Sequence, residues 1–244
     1  MKAKRKGPRA PAQKYILVID VGGTHVKFRI GEHGAIQEFE SGPAMTPRRM
    51  VRSLCELLDG RRYDAVSVGY PGLVYHGRIA AEPHNLGKGW VGFDYERAFG
   101  KPVRILNDAA MQALGSYKGG RMLFLGLGTG LGSAMVIDGI VEPMELAHLP
   151  YKKGRTFEDY VGLRGLERLG KTKWRKEVAE VVERFREALS PDYIVLGGGN
   201  AKKVKDLPEG CELGNNANAF LGGFRLWEEP GGVPHKPTTR TRGA

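Results

Sequence analysis

The sequence predicts an α/β chain whose two related halves face each other across a cleft. Two observations carry that expectation. Apolar runs of strand length alternate with segments of helical period along residues 15–227. A strand, a Gly/Thr turn and a second strand occur first in residues 15–29 and again in residues 121–138, about 105 residues later.

The first unit reads Y-I-L-V-I-D-V-G-G-T-H-V-K-F-R. An apolar run ends in Asp20, the turn carries Gly22, Gly23 and Thr24, and Lys27 stands on the return strand. Successive backbone N–H groups in such a turn make an anion-binding concavity, and glycine lets a phosphate approach with no Cβ in the way. Asp20 then stands where a Mg²⁺ shared with phosphates could be held. An ordinary hairpin with a glycine turn fits the same residues, and alternation leaves Lys27 either facing the phosphates or solvated.

Helical spacing of Met50, Val51, Leu54, Leu57 and Leu58, behind Thr46-Pro47, predicts a helix over 47–59. Residues 64–70 read as a strand closed by Pro71-Gly72; the stretch from Gly77 to Trp90 is too polar and glycine-broken for a core element. Val103 to Leu106 reads as a short buried strand, with Asn107-Asp108 at its junction with a helix. Then the pattern restarts: an apolar strand, the turn G-L-G-T-G-L-G, and a strand ending at Asp138-Gly139. A helix from Trp174 has Val178, Val181, Phe185 and Leu189 on one face and pairs Glu180 with Arg184 on the other, and Pro191 ends it. Y-I-V-L is a further strand before Gly197-Gly198-Gly199, and a last helix is expected over Asn216–Trp227, its Gly222 and Gly223 allowing close packing.

The 244 residues are 41% hydrophobic and 27% charged, the balance of a soluble globular protein, and no apolar run reaches the roughly 20 residues that span a bilayer. The basic start lacks an apolar segment behind it and is not expected to be a secretory signal. Two cysteines, Cys55 and Cys211, without metal-ligand spacing fit a reducing cytoplasm. The net charge of +11 resides mostly in the ends: residues 1–14 carry +6 and residues 231–244 carry +3, leaving +2 on the body. Both tails are expected to be disordered, with sequence-independent adhesion to polyanions as their only nucleic-acid role.

Four motifs in order then resemble one family. D-V-G-G-T-x-x-K from Asp20, N-D-A from Asn107, L-G-L-G-T-G-L-G-S from Leu125 and V-L-G-G-G from Val195 resemble the ROK sugar kinases of the actin/hexokinase-like ATPase superfamily. The short connection after E-L-A-H, with no Cys between 56 and 210, resembles most the polyphosphate-dependent glucokinase branch, which lacks the Cys-rich zinc loop of many members. Two departures stand out: Ala147 replaces the usual Gly, and N-A-K-K follows the third glycine turn where that branch commonly has Val-Ser-Lys.

The resemblance implies two ribonuclease-H-like domains, each with a mixed sheet, and an active site in the cleft between them. The expected division is 15–113 and 114–230, flanked by tails 1–14 and 231–244. It implies a hexose kinase transferring a phosphoryl group from polyphosphate, ATP or both to the 6-hydroxyl of glucose. The alternatives are an ATP-only kinase for mannose or glucosamine and a non-catalytic sugar-binding regulator. Asp108 is the candidate general base, although an acidic N-cap fits its position as well. Asn85, Asn107, Glu145, His148 and Glu158 join it as candidate sugar ligands. Asp20 is the candidate Mg²⁺ ligand; Gly22, Gly23, Thr24 and Lys27, with Gly128, Thr129, Gly130, Gly197, Gly198 and Gly199, are the candidate donor site. Lys202, Lys203 and Lys205, with Lys118, Arg121, Lys152, Lys153 and Arg155, are candidates for a cation track along a long phosphate chain. No structural zinc, no specific nucleic acid and no membrane partner are expected, and the resemblance implies a homodimer.

Overall fold

The structure is a computed structural model that describes residues 14–228; the tails, Lys14 apart, lie outside the described residues, and with them the expectation that they are disordered. Two five-stranded sheets share one topology. In the first, β1 (Ile16–Val21) turns into antiparallel β2 (His25–Ile30), which pairs with β3 (Gln37–Glu40). After helix α1 (Pro47–Leu58) the chain returns through β4 (Ala65–Tyr70) and, later, β7 (Val103–Asn107), both parallel to β1 in the order β3-β2-β1-β4-β7. Thr46 caps α1 with Oγ1 accepting the Arg49 N–H at 3.3 Å, and Pro47 occupies the first helical position, where no N–H is needed.

The second sheet repeats the path. Here β8 (Arg121–Leu127), β9 (Leu131–Ile137) and β10 (Ile140–Met144) form the antiparallel side, and β11 (Tyr193–Gly197) and β12 (Cys211–Leu213) run parallel to β8. Both sheets are mixed, as the fold class requires.

Several elements differ from the sequence expectation. The polar stretch before Trp90 does supply core: a small hairpin, β5 (Val74–Tyr75) and β6 (Arg78–Ile79), leads into a loop that buries Leu86 and Trp90. Glu82 organises that loop, its carboxylate accepting the N–H groups of Gly89, Trp90 and Val91 at 3.0–3.2 Å. Strand β7 lies at a sheet edge and is half-buried rather than buried, and a short helix α2 (Tyr95–Phe99) precedes it. The chain is helical before Trp174 as well: α4 (Glu158–Val161) leads into α5 (Leu163–Leu189), which Gly170 breaks with φ +72°, so that the expected helix with Trp174 follows that break. Trp174, Val178, Val181 and Phe185 are buried against the second sheet, as their spacing predicts.

The seam between the sheets is made by α3 (Asp108–Ser116) and α6 (Asn218–Arg225), the latter shorter than the expected Asn216–Trp227. The boundary drawn at 113/114 falls inside α3, and α6 lies across β1 and β4 of the first sheet. Where these helices cross, a Cβ on Gly115 would overlap the Asn218 carbonyl, and one on Gly222 the Met111 carbonyl. Val18 packs against Gly223 in the same way, so the last described helix seals the core of the first sheet.

Candidate active site

The cleft is assembled from strand ends and one helix start. Asp20 lies near the end of β1, opposite Lys27 in the β1–β2 register and beside Gly69 of β4. Asp108 follows the last residue of β7 and opens α3. The cap of α3 is Asn107, not Asp108: Asn107 Oδ1 accepts the N–H groups of Ala109 and Ala110 at 3.0 and 3.2 Å. Its Nδ2 donates to the Gly72 carbonyl at 3.0 Å, leaving one amide hydrogen for a ligand. Asp108 shares the Ala109 N–H through Oδ1 and lines a cavity of about 330 Å³ together with Asp20, Lys27, Gly198, Gln112 and Asn216.

The electrostatics follow from this placement. Burial at the cleft floor raises the Asp20 carboxyl above the usual range, while Lys27 opposes that rise. Lys27 therefore faces the cleft, which alternation alone left open; its Nζ also stands 3.9 Å from Glu38. Burial, then the nearby Asp20 charge, pushes Asp108 up to about 7, against the pull of the Ala109 N–H, which donates to Oδ1 at 2.7 Å. Among the described residues, no group of three or more His, Cys, Asp or Glu side chains is placed to hold a metal. Asp20 alone suits a hard cation that takes most of its ligands from phosphate oxygens and water, the habit of Mg²⁺.

The glycine turns are partly committed internally. Gly22 N–H donates to the His25 carbonyl at 2.9 Å and Gly128 N–H to the Gly130 carbonyl at 3.1 Å, so neither is a phosphate donor in this conformation. Of the third turn, Gly198 alone lines the cavity; its φ is +80°, and a Cβ there would press on the Leu127 carbonyl at 2.6 Å. Gly197 has a packing role instead, its missing Cβ making room for the Phe124 ring.

Asn85, Glu145, His148 and Glu158 do not line the cavity, nor does Asn107. Asn85 lies against the first turn, 3.5 Å from where a Gly23 Cβ would be. Glu145 and His148 face each other at 3.4 Å across one turn of 3₁₀ helix, both exposed. Glu158 reaches the second glycine turn, its Oε2 accepting the Leu131 N–H at 3.2 Å, while Arg164 stands 3.5 Å from Oε1. That turn in turn abuts α3, which carries Asp108, since a Cβ on Gly132 would lie 2.6 Å from the Ala109 Cβ.

Sequence reasoning missed Gln112, Asn216 and Glu38 in the cavity wall, and Asn200 behind it. Gln112 is four residues after Asp108 on one helix face, a signal that was available; its Nε2 donates to Asn216 Oδ1 at 3.0 Å. Asn200 ties two glycine turns together, Nδ2 donating to the Gly128 carbonyl at 3.0 Å and its N–H to the Leu127 carbonyl at 2.9 Å. Two cations proposed for a phosphate track are neutralised locally: Lys118 pairs with Glu212, and Lys152 with Glu177 and Glu180. Lys203 donates to Asn200 Oδ1 at 2.6 Å.

Comparison with known proteins places the chain among sugar kinases by similarity. A polyphosphate glucokinase from Mycobacterium tuberculosis is 29% identical over 225 residues, covering 81% of this chain and 82% of that protein. A kanosamine kinase from Amycolatopsis mediterranei is 29% identical over 164 residues, 57% of this chain and 54% of that one. Both relatives are phosphotransferases by name. The crystal structure of an inorganic polyphosphate/ATP-glucomannokinase from Arthrobacter sp. strain KM superposes with a TM-score of 0.73 at 24% identity, over 87% of this chain and 97% of that one, and so shares the fold. The ROK family profile matches residues 16–142, a span that holds Asp20, Asp108 and the second glycine turn, and the chain belongs to the ROK family.

Proposed function

We propose that this protein is a hexose kinase that transfers the terminal phosphoryl group of polyphosphate or ATP to the 6-hydroxyl of glucose. The observation that carries the reading is the meeting of Asp20, Lys27, Asp108 and Gly198 in one cavity, drawn from both halves of the chain. The polyphosphate and glucose parts rest on the named activities of the relatives, and the residue roles on the chemistry of the cleft.

In this reading Asp108 accepts the proton of the sugar hydroxyl as its oxygen attacks the terminal phosphorus; the bond from phosphorus to the bridging oxygen breaks, and the shortened donor leaves. A base held at about 7 is well matched to neutral pH, being half ionised there and still able to take a proton. Lys27 and the N–H groups of Gly23, Thr24, Thr129 and Gly130 orient the donor phosphates. Asp20 would hold Mg²⁺, which when bound neutralises charge on the phosphates. Glu145, His148, Glu158, Asn85 and the remaining Asn107 amide hydrogen orient the sugar from the rim, which requires the rim to close toward Asp108. The lobes are 15–113 and 114–230, sharing α3 and α6 at their seam; closure would exclude water as a competing acceptor. A homodimer and a cytoplasmic location belong to the same reading.

The test is a coupled assay of the purified chain with glucose and Mg²⁺, supplying ATP and polyphosphate separately and repeating each with mannose and glucosamine. Glucose 6-phosphate formed from polyphosphate supports the full reading. Turnover with ATP alone removes the polyphosphate part, and no turnover with any hexose refutes the kinase.

A further inference from the structure

The segment that joins His148 to Glu158 is a tight hairpin. Phe157 N–H donates to the Leu149 carbonyl at 3.2 Å, Pro150 bridges Thr156, and Tyr151 N–H donates to the Arg155 carbonyl at 2.8 Å. Lys153 and Gly154 at its tip have φ of +52° and +69°, the left-handed pair of a type I′ turn. Its two strands end in candidate sugar ligands, so its placement fixes the distance and angle between them.

Nothing in a nine-residue hairpin is large enough to hold that placement alone, and the structure shows what does. Lys152 Nζ donates to Glu177 Oε2 at 3.1 Å and to Glu180 Oε2 at 2.6 Å, both on α5. Tyr151 Oη donates to the same Glu177 oxygen at 3.0 Å. The Tyr151 ring stacks on Phe157 at 4.6 Å and meets Tyr160 edge-on at 5.0 Å, and Arg184, paired with Glu180 at 3.0 Å, stands over it at 5.3 Å. The Lys152 side chain is about one-third exposed and Glu177 one-fifth, so water and salt screen this group less than a surface pair.

We propose that Lys152 and Tyr151 form a latch to Glu177 and Glu180 that positions the sugar-binding rim, making Lys152 a positioning residue for the acceptor hexose. The inference rests on the hexose-kinase reading for its substrate. Breaking the latch lets Glu145 and His148 shift relative to Glu158, which the Leu131 N–H holds at the second glycine turn; hexose binding weakens while the donor turns and Asp108 keep their geometry. Arginine, whose planar fork can bridge two carboxylates, should serve in place of lysine.

The experiment compares wild type, Lys152→Ala, Lys152→Arg and Tyr151→Phe in steady-state kinetics, with amide hydrogen exchange on the same proteins. The latch predicts that Lys152→Ala raises the hexose KM about tenfold, equivalent to about 1.4 kcal/mol, with kcat and donor KM within about twofold. Lys152→Arg should recover most of that loss, and Tyr151→Phe should show a smaller rise with the packing kept. Raising salt should increase the hexose KM of wild type more than that of Lys152→Ala. Faster exchange confined to residues 145–158 should accompany the alanine variant. An unchanged hexose KM in Lys152→Ala overturns the proposal, and so does a loss spread equally over kcat and both KM values. If wild type transfers phosphate to no hexose, the kinase reading fails, and hydrogen exchange still decides the latch: unaltered exchange at 145–158 removes it.

Discussion

Asp20 and Asp108, 88 residues apart in sequence, stand in one cavity, and the charge of the first helps hold the second up to about 7. Both carboxylates sit at ends of parallel strands in the first sheet: Asp20 on β1, and Asp108 just beyond β7, with β4 between them. Strands that stop together deliver unlike sequence positions to one point.

Asp108→Asn should remove nearly all turnover, a loss of about a thousandfold or more, because base catalysis and the orientation of the hydroxyl go together. Hexose binding should survive, since the amide keeps the shape and the oxygen that accepts the Ala109 N–H. Calorimetric titration of the variant with glucose beside single-turnover kinetics checks both halves. Wild-type turnover in the variant would exclude Asp108 as the base.

The same carboxyl predicts a pH dependence of stability. Its folded pKa is raised from 3.8 to about 7, so the folded state favours the protonated form. The unfolded chain ionises freely above pH 4; stability from this group is therefore present at low pH and lost as pH rises toward 7. Asp108→Asn removes the penalty. The variant should match wild type near pH 4 and exceed it at pH 8 by about 1–2 kcal/mol, allowing for screening by water in the cleft. Urea unfolding at the two pH values measures the difference, and an equal gain at both would contradict the coupling.

The interaction between the carboxyls can be read without activity. Asp20→Asn removes the negative charge that raises Asp108, so the Asp108 titration should move to lower pH, short of the ordinary carboxylate value because burial persists. Carboxyl-carbon NMR titration of both proteins follows it directly. An unmoved midpoint would show burial alone to be responsible.

Much of this arrangement is legible in the sequence because local chemistry dictates it. Asp20-Val21 followed by two glycines reads as a strand end and a turn, and its echo near Gly128 signals the second sheet, whose order repeats the first. Asn107-Asp108 marks a strand–helix junction, but which of the two is the cap depends on side-chain geometry: Asn107 reaches the Ala109 and Ala110 N–H groups, and Asp108 is left to the cleft. Trp90 was hidden for another reason. Its burial is arranged by Glu82, a carboxylate eight residues away that satisfies the loop backbone, and no periodicity reports such a contact. Gln112 and Asn216 meet across the seam only because α6 returns to the first sheet, a tertiary event without local signature.

The α3–α6 crossing shows how closely that return is packed. Gly115→Ala or Gly222→Ala places a methyl group on a backbone carbonyl of the facing helix, which cannot give way as a side-chain tip could. Alanine favours the helix by about 1 kcal/mol over glycine, yet overpacking costs about 1–3 kcal/mol, and with backbone as the obstacle the upper part of that range should prevail. Both variants should unfold at lower urea concentration than wild type. A variant as stable as wild type would mean that the helices can separate without loss.

Asn200 offers the sharpest separation of donor from acceptor effects. It is buried, with Nδ2 on the Gly128 carbonyl and Oδ1 accepting from Lys203. Asn200→Ala leaves the Gly128 carbonyl and the Lys203 ammonium without these partners, and a buried group so deprived costs about 1–3 kcal/mol. Part of that loss appears as lower stability. The rest should appear in the placement of the Gly128–Gly130 turn against Gly198, the two sides of the proposed donor site. The donor KM should therefore rise about five- to tenfold while hexose affinity, which the proposed reading assigns to residues 145–158, stays within about twofold of wild type. Steady-state kinetics varying each substrate in turn would show it, and a loss falling on the hexose instead would assign Asn200 to the other side of the cleft.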